Sequence, residues 1–246
     1  VALTGASAEL RLSETDALAG EDDENATPRI SPETIERFLL TGGITLNAEQ
    51  TDAAGLLLRS VDVRGTSIEA MPQRQRLTLP GRGQMLLRDL RPAPGDGDEQ
   101  EKGYRGNIAL RWNDAATYVG DDSQPGKGVV EFAGRALAAF EPTDRPVFRV
   151  EADAFVGNLL PDEAGRASFA GAVATGDVIF TADNGVRFEA GRVTYDPATG
   201  QVVAVGSADA PITAVDENGV PTGELERLVY NVETGQIDEA RGLRSR

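Results

Sequence analysis

An all-β chain built from repeated antiparallel hairpins is what the sequence predicts, and three observations carry that expectation. Residues 190–204 (AGRVTYDPATGQVVA) recur as residues 225–239 (LERLVYNVETGQIDE) at a constant offset of 35, so that Tyr195 matches Tyr230, Asp196 matches Asn231 and Gly200 matches Gly235. A fixed period marks repeated supersecondary units. Apolar and polar residues alternate through most other segments, broken by Gly, Pro, Asn and Asp, which is the pattern of half-buried strands and turns. No segment keeps a helical period beyond about two turns.

Taken in order, residues 2–12 alternate loosely as a strand. The stretch behind them, with Glu14, Asp16 and Glu21 to Glu24 and no base before Arg29, reads as a solvated, mobile loop over 13–34. It lacks the glycine and the spaced oxygens of an EF-hand calcium loop. Residues 35–47 have two readings. One is a short helix entered through Ser31-Pro32-Glu33-Thr34 and ended by Gly42-Gly43; the other is a strand pair turned by those glycines. The alternation of Ile44 and Leu46 with threonine favours strand.

Short β-segments follow at 56–63, 66–70, 76–79 and 84–87, with a turn signal at Pro80-Gly81-Arg82-Gly83. Residues 92–105 read as a mobile polar loop. Residues 106–112 present Ile108, Leu110 and Trp112 on one face. A turn follows at 121–126, then two strands around Gly134 within 129–140, then a strand over 148–155. The chain reads as one elongated unit over 1–246; a seam, if there is one, falls at 160–166. Beyond it, Val178, Phe180 and Ala182 alternate, Asp183-Asn184-Gly185 turns, and Val186, Phe188 and Ala190 alternate again, which is a strong hairpin signal.

Composition narrows the chemistry. The chain has no histidine and no cysteine, which removes most zinc sites, thiol nucleophiles, Ser-His-Asp triads and disulfide frameworks. Its net charge of −16 argues against nucleic acid. Hydrophobic residues make up 40% and aromatics 5%, a lean core for 246 residues that suits a thin sheet stack. No apolar run reaches transmembrane-helix length. The start at Val1, without methionine, reads as the beginning of an excised piece, so that a targeting segment is expected upstream.

The residues from Thr175 onward resemble one unit of the OstA-like family, the periplasmic bridge proteins of lipopolysaccharide transport. The matching segments are Thr175-Gly-Asp-Val-Ile-Phe180, Phe188-Glu-Ala190, Val193-Thr-Tyr-Asp196, Gly200-Gln-Val202 and Gly206. Weaker echoes lie at 40–46, 65–70, 76–81, 129–140, 148–154 and 224–242. The resemblance implies an elongated, slightly open β-jellyroll whose apolar interior takes acyl chains and whose modules stack end to end. It also implies a periplasmic or cell-envelope location in a Gram-negative-type bacterium.

Candidate residues follow from both lines of reasoning. Val178, Phe180, Phe188, Val193, Tyr195, Val202, Leu228 and Tyr230 are the apolar members of the clearest hairpins. Alternation makes them core; the resemblance adds the role of lining a lipid groove. Arg74, Arg76, Arg82, Arg88 and Arg91 form the basic stretch of an acidic chain, and the spacing of Arg74 and Arg76 places both on one strand face. Arginine forks onto phosphate, so Arg74, Arg76, Arg82 and Arg88 are candidates for an anionic headgroup, the other role being ion pairing with Asp62, Glu69 and Asp89. Tyr195-Asp196 and Tyr230-Asn231 read as turn-openers. The carboxylate pairs Asp121/Asp122, Glu151/Asp153 and Asp96/Asp98 have no aromatic sugar platform beside them, which disfavours glycosidase chemistry and sugar binding. No cofactor and no metal is expected. The resulting expectation is a non-enzymatic, lipopolysaccharide-like lipid-binding module; the alternative is a structural or adhesive β-scaffold with a filled core.

Overall fold

The computed structural model describes residues 2–4, 7–12, 35–52, 54–91, 105–143, 145–161, 167–207, 209–216, 218–242 and 244–245, with the backbone alone described for 2–12, 167, 168, 244 and 245. Among the described residues, eighteen strands form one hydrogen-bonded sheet in which every pairing is antiparallel. They are β1 (Ala2–Thr4), β2 (Ser7–Leu12), β3 (Ile35–Thr51), β4 (Leu57–Met71), β5 (Arg76–Pro80), β6 (Gly83–Asp89), β7 (Gly106–Trp112), β8 (Ala115–Gly120) and β9 (Gly128–Pro142), then β10 (Phe148–Pro161), β11 (Ala167–Ala182), β12 (Arg187–Asp196), β13 (Gln201–Val205), β14 (Ile212–Val215), β15 (Pro221–Leu225), β16 (Arg227–Asn231), β17 (Gln236–Arg241) and β18 (Arg244–Ser245). One 3-10 turn at Pro72–Arg74 is the only helical element among the described residues.

The pairing registers show that this sheet is folded over along a crease. The first half of β3 pairs with β2 and the second half of β4, whereas its second half pairs with β1 and the first half of β4. The halves of β9 and β10 divide in the same way: β8 lies on one half of β9 and β7 on the other. Each traverse of the chain runs out along one layer, turns a corner and continues in the second layer. The first layer contains β2, β5, β8, β13, β16 and β17; the second contains β1, β6, β7, β14, β15 and β18. The long strands β3, β4, β9, β10, β11 and β12 belong to both. The result is an all-β, jellyroll-like fold, partly ring-like without closing into a barrel.

The corners have a local cause. In β3 the register slips between Thr41 and Ile44, where Gly42 and Gly43 sit at φ 90° and 83°. Two successive left-handed residues kink the strand without reversing it, a conformation that a Cβ disfavours. The glycine pair therefore bends one strand of residues 35–51 instead of turning a strand pair. Gly134 bends β9 in the same manner, so the two strands expected around it are one. Likewise 56–63 and 66–70 are the two halves of β4. At the expected seam, residues 162–166 lie outside the described residues, and the flanking strands pair from Pro161 with Ala167 to Phe148 with Ala182. The loop at 13–34, and that at 92–105 except Arg105, also lie outside them.

Alternation along the strands then lines up the interior. Leu46, Val63, Met85, Leu110, Ala138, Val150, Phe180, Phe188 and Ala214 sit directly opposite one another, strand after strand, on the inner face of the second layer. One step outward runs a second row, Ala48, Val61, Leu87, Ile108, Phe140, Phe148 and Ala182. Rings within these rows touch: Phe140 stacks on Phe148 at 4.6 Å and Phe180 on Phe188 at 4.8 Å between centroids. Cross-strand aromatic pairs of this kind stabilise a sheet by about 0.5–1.5 kcal/mol beyond their buried area.

The outer turns of the two layers share a device. Asp52, Asp121, Asp196, Asp216 and Asn231 each accept a backbone N–H two residues on through Oδ1. Part of the acidic composition thus serves as turn chemistry.

Candidate functional site: the apolar interior and its rim

The inner surface changes character along the stack. From β9 onward most inward side chains are closed off: Phe148, Phe180, Phe188, Val202 and Tyr230 are essentially inaccessible, while Val130, Phe169 and Ala214 are partly buried. The cavity beside them, bounded by Phe140, Phe155, Tyr195 and Val202, holds about 20 Å3, room for about one water. Across β3 to β6 burial is mixed: Leu40, Ile44, Val63, Ile68 and Leu79 are buried, whereas the inward-facing Phe38, Leu46, Val61, Leu77, Met85 and Leu87 are only partly buried.

The rim differs in parallel. Opposite the filled half, the two layers are fastened across their open edges: Asn184 Nδ2 donates to the Gly235 carbonyl and to the Tyr230 hydroxyl, and Arg145 pairs with Glu233 at 3.3 Å. Opposite the less buried half, the next inward position beyond Val61 and Leu87 is charged. Arg59 and Asp89 face each other there, with Arg59 Nε 3.1 Å from Asp89 Oδ2. Arg91 Nε donates to Asp89 Oδ1 at 2.8 Å. Arg105, next to the Gly106 that pairs with Asp89, has Nε and Nη2 buried without a hydrogen-bond partner. Leu56 and Leu90, at the same edge, stand 66% and 51% exposed. This edge therefore combines guanidinium charge with bare aliphatic surface.

Each expected residue can now be placed. Val178, Phe180 and Phe188 lie on the inner face of the second layer and Val193, Tyr195, Val202, Leu228 and Tyr230 on that of the first; all eight are buried. They meet across the interior, with Phe180 and Tyr230 5.1 Å apart. Burial pushes the Tyr195 hydroxyl up to about 12, against the pull of nearby Arg145, and also raises that of Tyr230.

The four arginines do not gather. Arg74 sits in the 3-10 turn and Arg76 begins β5; Gln75 between them has φ 43°, so the two do not share a strand face. Arg82 lies in the corner turn between β5 and β6, at the other end of the strand from Arg76. Arg88 is on the outer face of β6, 3.9 Å from Asp62. Glu69 pairs with Arg37, and Asp89 with Arg59 and Arg91.

Of the carboxylate pairs, Asp121 is held by Ser123 and Lys127, which pull it down to about 2. Glu151 is exposed, and Asp153 sits at the corner of β10; Asp96 and Asp98 lie outside the described residues. No group of three or more metal-ligating side chains occurs among the described residues.

Not assigned to a site from the sequence are Phe38, Leu46, Met85 and Leu87 inside and Arg59 at the rim, while Asp89 entered only as an ion-pair partner. A signal existed: the period-2 series Val63-Val61-Arg59 and Met85-Leu87-Asp89 both run from apolar into opposite charges.

Protein-family models, curated proteins and solved structures were compared with this chain, and none matches significantly. The fold is all-β and jellyroll-like, with a continuous apolar interior that is tightly buried around Phe180 and only partly buried at Phe38, Leu46, Met85 and Leu87.

Proposed function

We propose that the chain is a non-enzymatic lipid-binding module of the cell envelope, working in the manner of the OstA-like lipopolysaccharide-transport proteins it resembles. The observation that carries this reading is the unbroken inward row from Ala214 to Leu46, of which Leu46 and Met85 on β3 and β6 are only partly buried, together with the charged pair Arg59 and Asp89 farther along β4 and β6. An amphiphile needs such a surface: aliphatic lining for its chains and guanidinium groups where its anionic head emerges. Acyl chains would lie against Phe38, Leu46, Met85 and Leu87. The buried set around Phe180 and Tyr230 would serve as the packed wall behind them. Like modules would add end to end, because β17 pairs only with β16 among the described residues and leaves Ile237 46% exposed along a free edge.

A photo-crosslinking residue at position 85 or 87 should yield an adduct with labelled lipopolysaccharide, while one at 180 or 188 should yield far less. The absence of any adduct from 85 and 87 in correctly folded protein would sink the proposal. It would favour the second reading, a structural scaffold with a filled core, for which the 20 Å3 cavity and the closed half already speak.

A further inference from the structure

The outer face of the second layer carries a groove that the interior does not explain. It lies across β4, β6 and β7, holds about 270 Å3 and has Leu86 and Ala109 as neighbours on its floor. Arg64 and Arg111 stand at one end, on either side of Gln84 in a single cross-strand row. Arg88 stands at the other end, loosely facing Asp62 at 3.9 Å. Neither Arg64 nor Arg111 has an ion-pair partner among the described residues. In a chain of net charge −16, carboxylates were plentiful, yet only Asp62 lines this groove.

We propose that this groove is a phosphate-binding site, served by Arg64 and Arg111 from two sides with the Gln84 amide between them. Two strand spacings set the arginine backbones about 10 Å apart, which lets two guanidinium forks close on one group. A tetrahedral phosphate can meet two forks from different sides, because its oxygens do not lie in one plane. The apolar floor beyond the forks suits a phosphate that carries an alkyl or other apolar portion. The site is separate from the acyl-chain groove, and it stands or falls independently of it.

The test is titration with inorganic phosphate and, separately, with a monoalkyl phosphate below its micelle concentration. The arginine Nε–H resonances of the folded protein supply the readout. Arg64 and Arg111 should shift together and saturate. Arg64→Gln with Arg111→Gln should abolish the binding, and Arg64→Lys should weaken it by roughly tenfold through loss of the fork. Arg149→Gln, on the same outer face but outside the groove, should leave it unchanged. Much tighter binding of the alkyl phosphate assigns an amphiphile to the floor of Leu86 and Ala109, whereas equal affinity assigns a free phosphate. If Arg64 and Arg111 do not respond, or if Arg149→Gln weakens binding as much as the double variant, the proposal is overturned.

Discussion

Tyr195 and Tyr230 lie two strands apart on the same inner face, both directly opposite Val202 on the strand between them. The 35-residue echo in the sequence is therefore a spatial repeat: two hairpins of the first layer, each entered through a buried tyrosine and turned by Asp196 or Asn231. Gly200 and Gly235 close those turns at φ 66° and 68°.

That placement makes stability sensitive to alkali. Tyr195 is pushed from 10.0 to about 12 when folded, and Tyr230 is raised as well, both chiefly by burial. A phenol whose folded pKa exceeds its unfolded value keeps its full contribution below about pH 10 and loses it as pH rises toward 12. For Tyr195 the loss amounts to about 3 kcal/mol, at about 1.36 kcal/mol per unit. Denaturant midpoints measured across this window should fall steeply for the native chain and less so for Tyr195→Phe.

Truncation should separate the two halves of the interior. Phe180 has no exposed surface and contacts Phe148, Phe188 and Tyr230, so Phe180→Ala should cost about 3–5 kcal/mol. Met85 is only partly buried, and Met85→Ala should cost under about 2 kcal/mol. Urea unfolding of both variants makes the comparison; equal costs would mean that the first strands are as tightly packed as the last.

Gly83 is a steric position. A Cβ there would lie 2.3 Å from Trp112 Cζ2 and 2.8 Å from the Arg64 carbonyl oxygen. Gly83→Ala should destabilise by about 1–3 kcal/mol and shift the emission of Trp112, the one tryptophan in the chain. Adding Trp112→Phe should recover only part of the loss, because the Arg64 carbonyl stays in place.

Asn184 fastens the rim of the closed half. Asn184→Ala removes its bonds to the Gly235 carbonyl and the Tyr230 hydroxyl, at about 1–2 kcal/mol. Amide exchange should rise at the turns 183–186 and 232–235 before it rises in the strands they join. Uniform acceleration across the sheet would show that these bonds do not hold the rim locally.

Much of this architecture was legible from period-2 alternation, because a strand with one wet and one dry face has to write that pattern. β7 shows it plainly, with Ile108, Leu110 and Trp112 buried and Ala109 and Arg111 exposed. The Asx-led turns at Asp196 and Asn231 were legible for a similar reason: their hydrogen bonds reach only two residues. What escaped was anything decided at a distance. Gly42-Gly43 reads from the sequence as a helix stop or as a turn between strands, and pairing of one continuous strand with β2 on one side and β1 on the other makes it a bend. Arg74 and Arg76 share a face only if the backbone stays extended, and Gln75 leaves that conformation.

By itself, then, the sequence determined the strand content, the inward-facing apolar set, the turn chemistry and the absence of histidine and cysteine chemistry. Tertiary structure alone decided that the strands fold over a crease into two layers, that the interior is tightly buried around Phe180 but only partly buried at Met85, and that Arg64 and Arg111 stand on either side of Gln84 in one cross-strand row. Alternation is local and is encoded residue by residue. Register between strands far apart in sequence, and the space left between two layers, follow only from how all the side chains pack together.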